Sequence, residues 1–83
     1  MEDDVIRNYE DTVLTKTYDK MLNSKSEDSI FKVYRRTKTW LEQHYFIANY
    51  CNHVRYTELK IKLRAMKDNA LYKLESDKIK SYL

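Results

Sequence analysis

The chain has 83 residues, 42% of them hydrophobic and 35% charged, and a formal net charge of +3. This length fits one small domain over 1–83 whose single core only just offsets the entropy lost on folding, and the mixture is too apolar and too balanced in sign for a disordered tail. Gly and Pro are both absent, which argues against tight hairpins, phosphate-cradling loops and bulges and in favour of helices joined by short polar connections.

In chain order, Val5, Ile6, Tyr9, Val13, Leu14, Tyr18, Met21 and Leu22 recur at steps that build one apolar stripe on a helix over 3–22. Glu2, Asp3 and Asp4 stand at its start, where carboxylates favour the positive end of the helix dipole. Glu10 and Asp11 are expected on its solvated face.

The polar stretch Asn23-Ser24-Lys25-Ser26-Glu27-Asp28-Ser29 reads as a turn, with Ser24 and Glu27 at the spacing of a capping box. Beyond it, Val33, Trp40, Ile47 and Val54 recur every seven residues, flanked by Ile30, Tyr34, Leu41 and Ala48. That seam predicts a second helix over 26–52. It is apolar on nearly every side from Tyr45 to Cys51, as suits a central element.

Asn52 suits a left-handed terminator, Thr57 the next cap and Glu58 a first turn. Leu59, Leu63, Met66, Ala70, Leu71 and Leu74 then predict a third helix over 57–80, extended less regularly by Ile79 and Tyr82. Residues 59–64 also alternate as a half-buried strand would, but no second alternating run offers it a partner. The expected fold is therefore all-α, an up-down-up three-helix bundle. The second and third helices would be roughly 35 to 40 Å long, more than one small core requires, which leaves self-association as a homodimer open.

The longest apolar run, Tyr45 to Ala48, falls far short of the roughly 20 residues that cross a bilayer, and the acidic start does not resemble a secretory signal. Cys51 is the only cysteine, so no intrachain disulfide can form, as suits a reducing compartment. A cytoplasmic protein is expected. Lys, Asn, Ile and Tyr, whose codons are A/T-rich, supply 29 of the 83 residues, a bias that fits a low-GC bacterium, its phage or another virus.

His44, Cys51 and His53 lack the paired spacing of a zinc site, and Cys51 and His53, two apart, do not face each other on a helix as nucleophile and base must. No catalytic residue, metal or cofactor is expected. What remains is charge. Residues 1–29 carry four basic against eight acidic side chains, a net of −4, whereas residues 32–67 carry nine against two, a net of +7.

Eight tyrosines and one Trp exceed what a three-helix core easily buries with every hydroxyl bonded, so some must reach the surface, where Tyr, Trp and Arg often anchor interfaces. The leading expectation is a non-enzymatic adaptor or inhibitor that docks on a larger protein. The alternative is a DNA- or RNA-binding regulator with a basic helical face. Candidate contacts for either are Arg35, Arg36, Lys38, Arg55, Tyr56, Lys60, Lys62, Arg64 and Lys67. The blander expectation is that the acidic first helix lies against this basic region.

Overall fold

A computed structural model describes residues 2–46 and 53–82. It contains three helices, α1 (Glu2–Leu22), α2 (Glu27–Phe46) and α3 (His53–Ser81), each packed against the other two. The expected all-α three-helix bundle is what forms. Residues 59–64 are helical, so the alternation of Leu59 to Arg64 reflects no strand: Leu59 and Leu63 enter the core one turn apart, and Ile61 faces out. No helix among the described residues is long and apolar enough to cross a membrane.

Three stripes make the core. Glu10, Leu14, Thr17 and Met21 are buried on α1, Ile30, Thr37, Leu41 and Tyr45 on α2, and Leu59, Leu63, Met66 and Ala70 on α3. On α1 and α3 the spacing is four, three, four, the repeat that keeps one side of a helix against its neighbours in a bundle. This differs from the sequence reading of α1, in which Val5 and Tyr9 belonged to the apolar stripe. Both are exposed, because the stripe is turned toward Leu14 and Met21 and completed by polar residues.

The seven-residue seam on α2 fares similarly. Val33 and Trp40 are only half-buried, Val54 lies on the outer surface of α3, and Ile47 and Ala48 lie outside the described residues. Nor is α2 a central element, since all three helices contribute to one core. The terminator proposed at Asn52 and the apolar residues up to Cys51 also lie outside the described residues.

The start of α2 is set by a side-chain hydroxyl, though not the expected one. Ser26 caps α2, its Oγ accepting from the Ser29 amide at 3.2 Å. Ser24 instead donates its hydroxyl to the Lys20 carbonyl at 2.8 Å and accepts from the Ser29 hydroxyl at 3.3 Å, closing the end of α1. The cap thus sits two residues later than the Ser24–Glu27 spacing implied. Thr57 is not a cap either. It lies one turn inside α3, its hydroxyl donating back to the His53 carbonyl at 2.8 Å, an alternative open to Thr within a helix.

At about 1.5 Å rise per residue, the 29 residues of α3 reach about 43 Å, against about 31 Å for the 21 of α1. The molecule is accordingly long and narrow, 51 × 21 × 17 Å.

Candidate interaction surfaces

The nine candidate residues do not share one face. Arg55 turns inward between helices: its Nε donates to Glu10 Oε1 at 3.2 Å and its Nη2 to Asp11 Oδ1 at 3.3 Å, while Nη1 lies 3.7 Å from Glu58. Lys62, on the same side of α3, comes within 4.0 Å of Asp11. The acidic helix does cover this part of the basic region.

Lys60, Arg64 and Lys67 lie on the α2 side of α3. Lys60 Nζ sits 5.7 Å over the half-buried Tyr56 ring, and Lys67 Nζ 4.7 Å over Tyr34 and 5.7 Å over Phe31, so both cations are partly spent on their own aromatic neighbours. Lys67 also lies 3.7 Å from Asp68. Arg64 and Arg35 are exposed, and Lys38 is half-buried. Arg36 belongs elsewhere again, in the groove between α1 and α2.

The sequence reading missed the most buried ionisable group. Glu10, expected on a solvated face, is 0% exposed. Its carboxylate accepts from the Tyr45 hydroxyl and from Arg55, and His44 Nε2 lies 3.2 Å away. One carboxylate from α1 therefore joins side chains of α2 and α3. Burial, then the hydrogen bond and charge of Glu10, push the Tyr45 hydroxyl well above its ordinary range. Burial works against the charge on Arg55, but the bond to Glu10 and the attraction of Glu10 and Asp11 outweigh it, so the guanidinium is held more tightly protonated than usual. Tyr56 is raised more simply, by burial and then by the charge of Glu42.

A buried charge is tolerated when paired and hydrogen-bonded, and Glu10 meets both conditions. Its chemistry here is structural, fixing how the three helices meet. The rings around it reinforce the junction. Tyr45 meets His44 edge-on at 5.1 Å, His44 stacks on Trp40 at 5.1 Å, and Tyr9 meets Trp40 edge-on at 6.0 Å. Of the three side chains with soft-metal ligand chemistry, His44 is thus committed to this cluster, His53 is exposed, and Cys51 lies outside the described residues. Among the described residues no three His, Cys, Asp or Glu side chains gather as metal ligands would.

Two surfaces remain. One is the outward side of α3. Val54, Ile61, Tyr72, Ile79 and Tyr82 are 71, 65, 75, 57 and 88% exposed. At 100° per residue, Val54, Ile61, Tyr72 and Ile79 fall in a strip opposite Leu59, Leu63 and Met66. The helix therefore has two apolar sides, one in the core and one in water. The sequence hinted at this only through the irregular extension to Ile79 and Tyr82. The second surface is the α1/α2 groove, a cleft of about 250 Å³ walled by Lys16, Lys20, Arg36 and Trp40.

The comparisons with known proteins name neither surface: no family model, curated protein or solved structure matches this chain.

Proposed function

We propose that this chain is a non-enzymatic helical docking protein, an adaptor or inhibitor that engages a larger protein through the outward side of α3. The observation that carries this reading is the exposed strip of Val54, Ile61, Tyr72 and Ile79, with Tyr82 at its edge. A monomer gains nothing by holding four or five large apolar side chains in water along one line, whereas a partner groove converts that line into buried area.

Asp68 and Glu75 interrupt the strip and are exposed. Asp68 has Lys67 3.7 Å away, but a partner that covers Glu75 must supply a basic group opposite, because an unpaired carboxylate in an interface costs several kcal/mol, roughly the value of a good anchor. A parallel, in-register pairing of two copies would set each of these acids against its own counterpart. A different protein as the partner avoids that repulsion.

The alternative, nucleic-acid binding through Arg55, Lys60, Lys62, Arg64 and Lys67, loses support because Arg55 and Lys62 are engaged by α1 while Lys60 and Lys67 lie over rings on the other side of α3. A photo-crosslinking residue in place of Tyr72, used in the native host cell, tests the docking role. Adducts with one heterologous protein are expected, lost when Ile79→Glu is added while the helical signal persists. Only self-adducts, or none, would sink the reading.

A further inference from the structure

The α1/α2 groove has a chemistry of its own, independent of docking through α3. Its basic walls come partly from the N-terminal third, whose net charge of −4 gives no hint of them. Lys16 and Lys20 stand one turn apart on α1, and Arg36 faces them from α2. None of the residues lining the cleft is acidic. All three cations are exposed, and among the described residues none of them forms an ion pair.

Between them lie two buried threonines. The Thr17 hydroxyl gives its proton to the Val13 carbonyl at 2.9 Å, so in the 3.1 Å contact between the two threonines it is Thr37 that donates to Thr17. The Thr37 oxygen keeps acceptor capacity of its own. At the far end the cations give way to rings: Trp40 lines the cleft and is backed by His44, and Tyr9, 53% exposed, stands edge-on to it.

From Tyr9 to Lys20 the track covers eleven residues of helix, about 16 Å. That exceeds one nucleotide, and the cleft is an open trough rather than a closed pocket. Cations that follow a backbone and rings that offer a stacking face are the two components of sequence-tolerant binding to single strands.

We propose that this groove binds single-stranded nucleic acid, with Lys16, Lys20 and Arg36 on successive phosphates and Tyr9, beside Trp40, stacking on a base. A protein partner with acidic side chains is the competing occupant, and poly-glutamate stands in for it in the test below.

Trp40 is the only tryptophan, so its emission reports on the groove directly. The full-length chain is titrated with a mixed-sequence single strand of about ten nucleotides. Quenching is expected, with affinity falling about 15- to 20-fold between about 50 and 200 mM salt, the slope of about −2 that three phosphate contacts give on a single strand. Lys16→Ala, Lys20→Ala and Arg36→Ala should each flatten that slope by about 0.7. Tyr9→Ala should weaken binding by about five- to 150-fold through lost stacking. Lys62→Ala, on another side of the bundle, should change neither.

The proposal is overturned by any of three results. These are no quenching at the lower salt, equal quenching by inorganic phosphate or poly-glutamate at matched charge, or equal weakening by Lys62→Ala. Each variant's circular dichroism guards against unfolding, and all the substituted residues are exposed. None lies on the outer strip of α3, so failure here leaves the docking role standing.

Discussion

Glu10 occupies a place in the α1 stripe that Leu14 and Met21 fill further along. A carboxylate there would be expelled were it not for Tyr45 and Arg55, which reach it from 35 and 45 residues away in sequence. Removing one partner leaves the others buried and uncompensated. Glu10→Ala and Arg55→Ala should each destabilise the bundle by about 3 kcal/mol, and the double variant should lose clearly less than the two together. Urea unfolding of the four proteins measures this coupling, and strict additivity would show that the pair acts as two independent residues. Little in the local sequence marked Glu10, because its neighbours are those of any solvated helix start. The only available signal was its spacing of four from Leu14.

At the scale of the element, apolar periodicity located the helices well and their ends less well. The expected start of α1 was one residue off and that of α2 likewise, because the hydrophobic steps and the polar turn around Ser24 to Ser29 mark both. Three hydroxyls lie within that turn, and which one caps depends on backbone geometry rather than on composition. Ser26 holds that role, so Ser26→Ala should cost about 1 kcal/mol and lower the melting temperature by about 4 to 8 °C. Ser24→Ala, which removes a hydroxyl bonded to the Lys20 carbonyl at the end of α1, should cost less. Calorimetry of the two variants distinguishes the caps. The early start of α3 has a tertiary cause. Arg55 must project from a formed turn to meet Glu10 and Asp11, and Thr57 adapts by bonding backward inside the helix.

At the scale of the whole molecule, the junction of the three helices couples stability to pH. The folded-state value of Tyr45 lies above its ordinary 10.0, raised by burial and by Glu10. The folded protein therefore holds a proton that the unfolded chain releases. Stability from this source is complete below about pH 10 and declines as pH rises toward the folded value. Urea midpoints should fall steadily above about pH 10, and Tyr45→Phe should flatten the decline although it starts from a lower stability. Tyr56→Phe should act in the same direction, since burial and the charge of Glu42 raise that hydroxyl as well. An unchanged slope in Tyr45→Phe would separate the hydroxyl from global unfolding.

The same scale governs the candidate surfaces. Net charge along the sequence divides the chain into an acidic third and a basic middle, but folding redistributes it around the axis. Asp11 meets Arg55 and Lys62 on one side of α1, while Lys16 and Lys20 join Arg36 on the other.

The sequence by itself determined the class of structure, because a chain without Gly or Pro and with apolar residues at three- and four-residue steps has little alternative to packed helices. It also required some of its tyrosines to be at the surface, as Tyr9, Tyr72 and Tyr82 are. Tertiary structure alone decided which way each helix is turned. Rotation about a helix axis is fixed by contacts between residues far apart in sequence, such as Glu10 with Tyr45 and Thr17 with Thr37. That rotation buried Glu10, placed Val54, Ile61, Tyr72 and Ile79 in water, and divided nine candidate residues among separate faces.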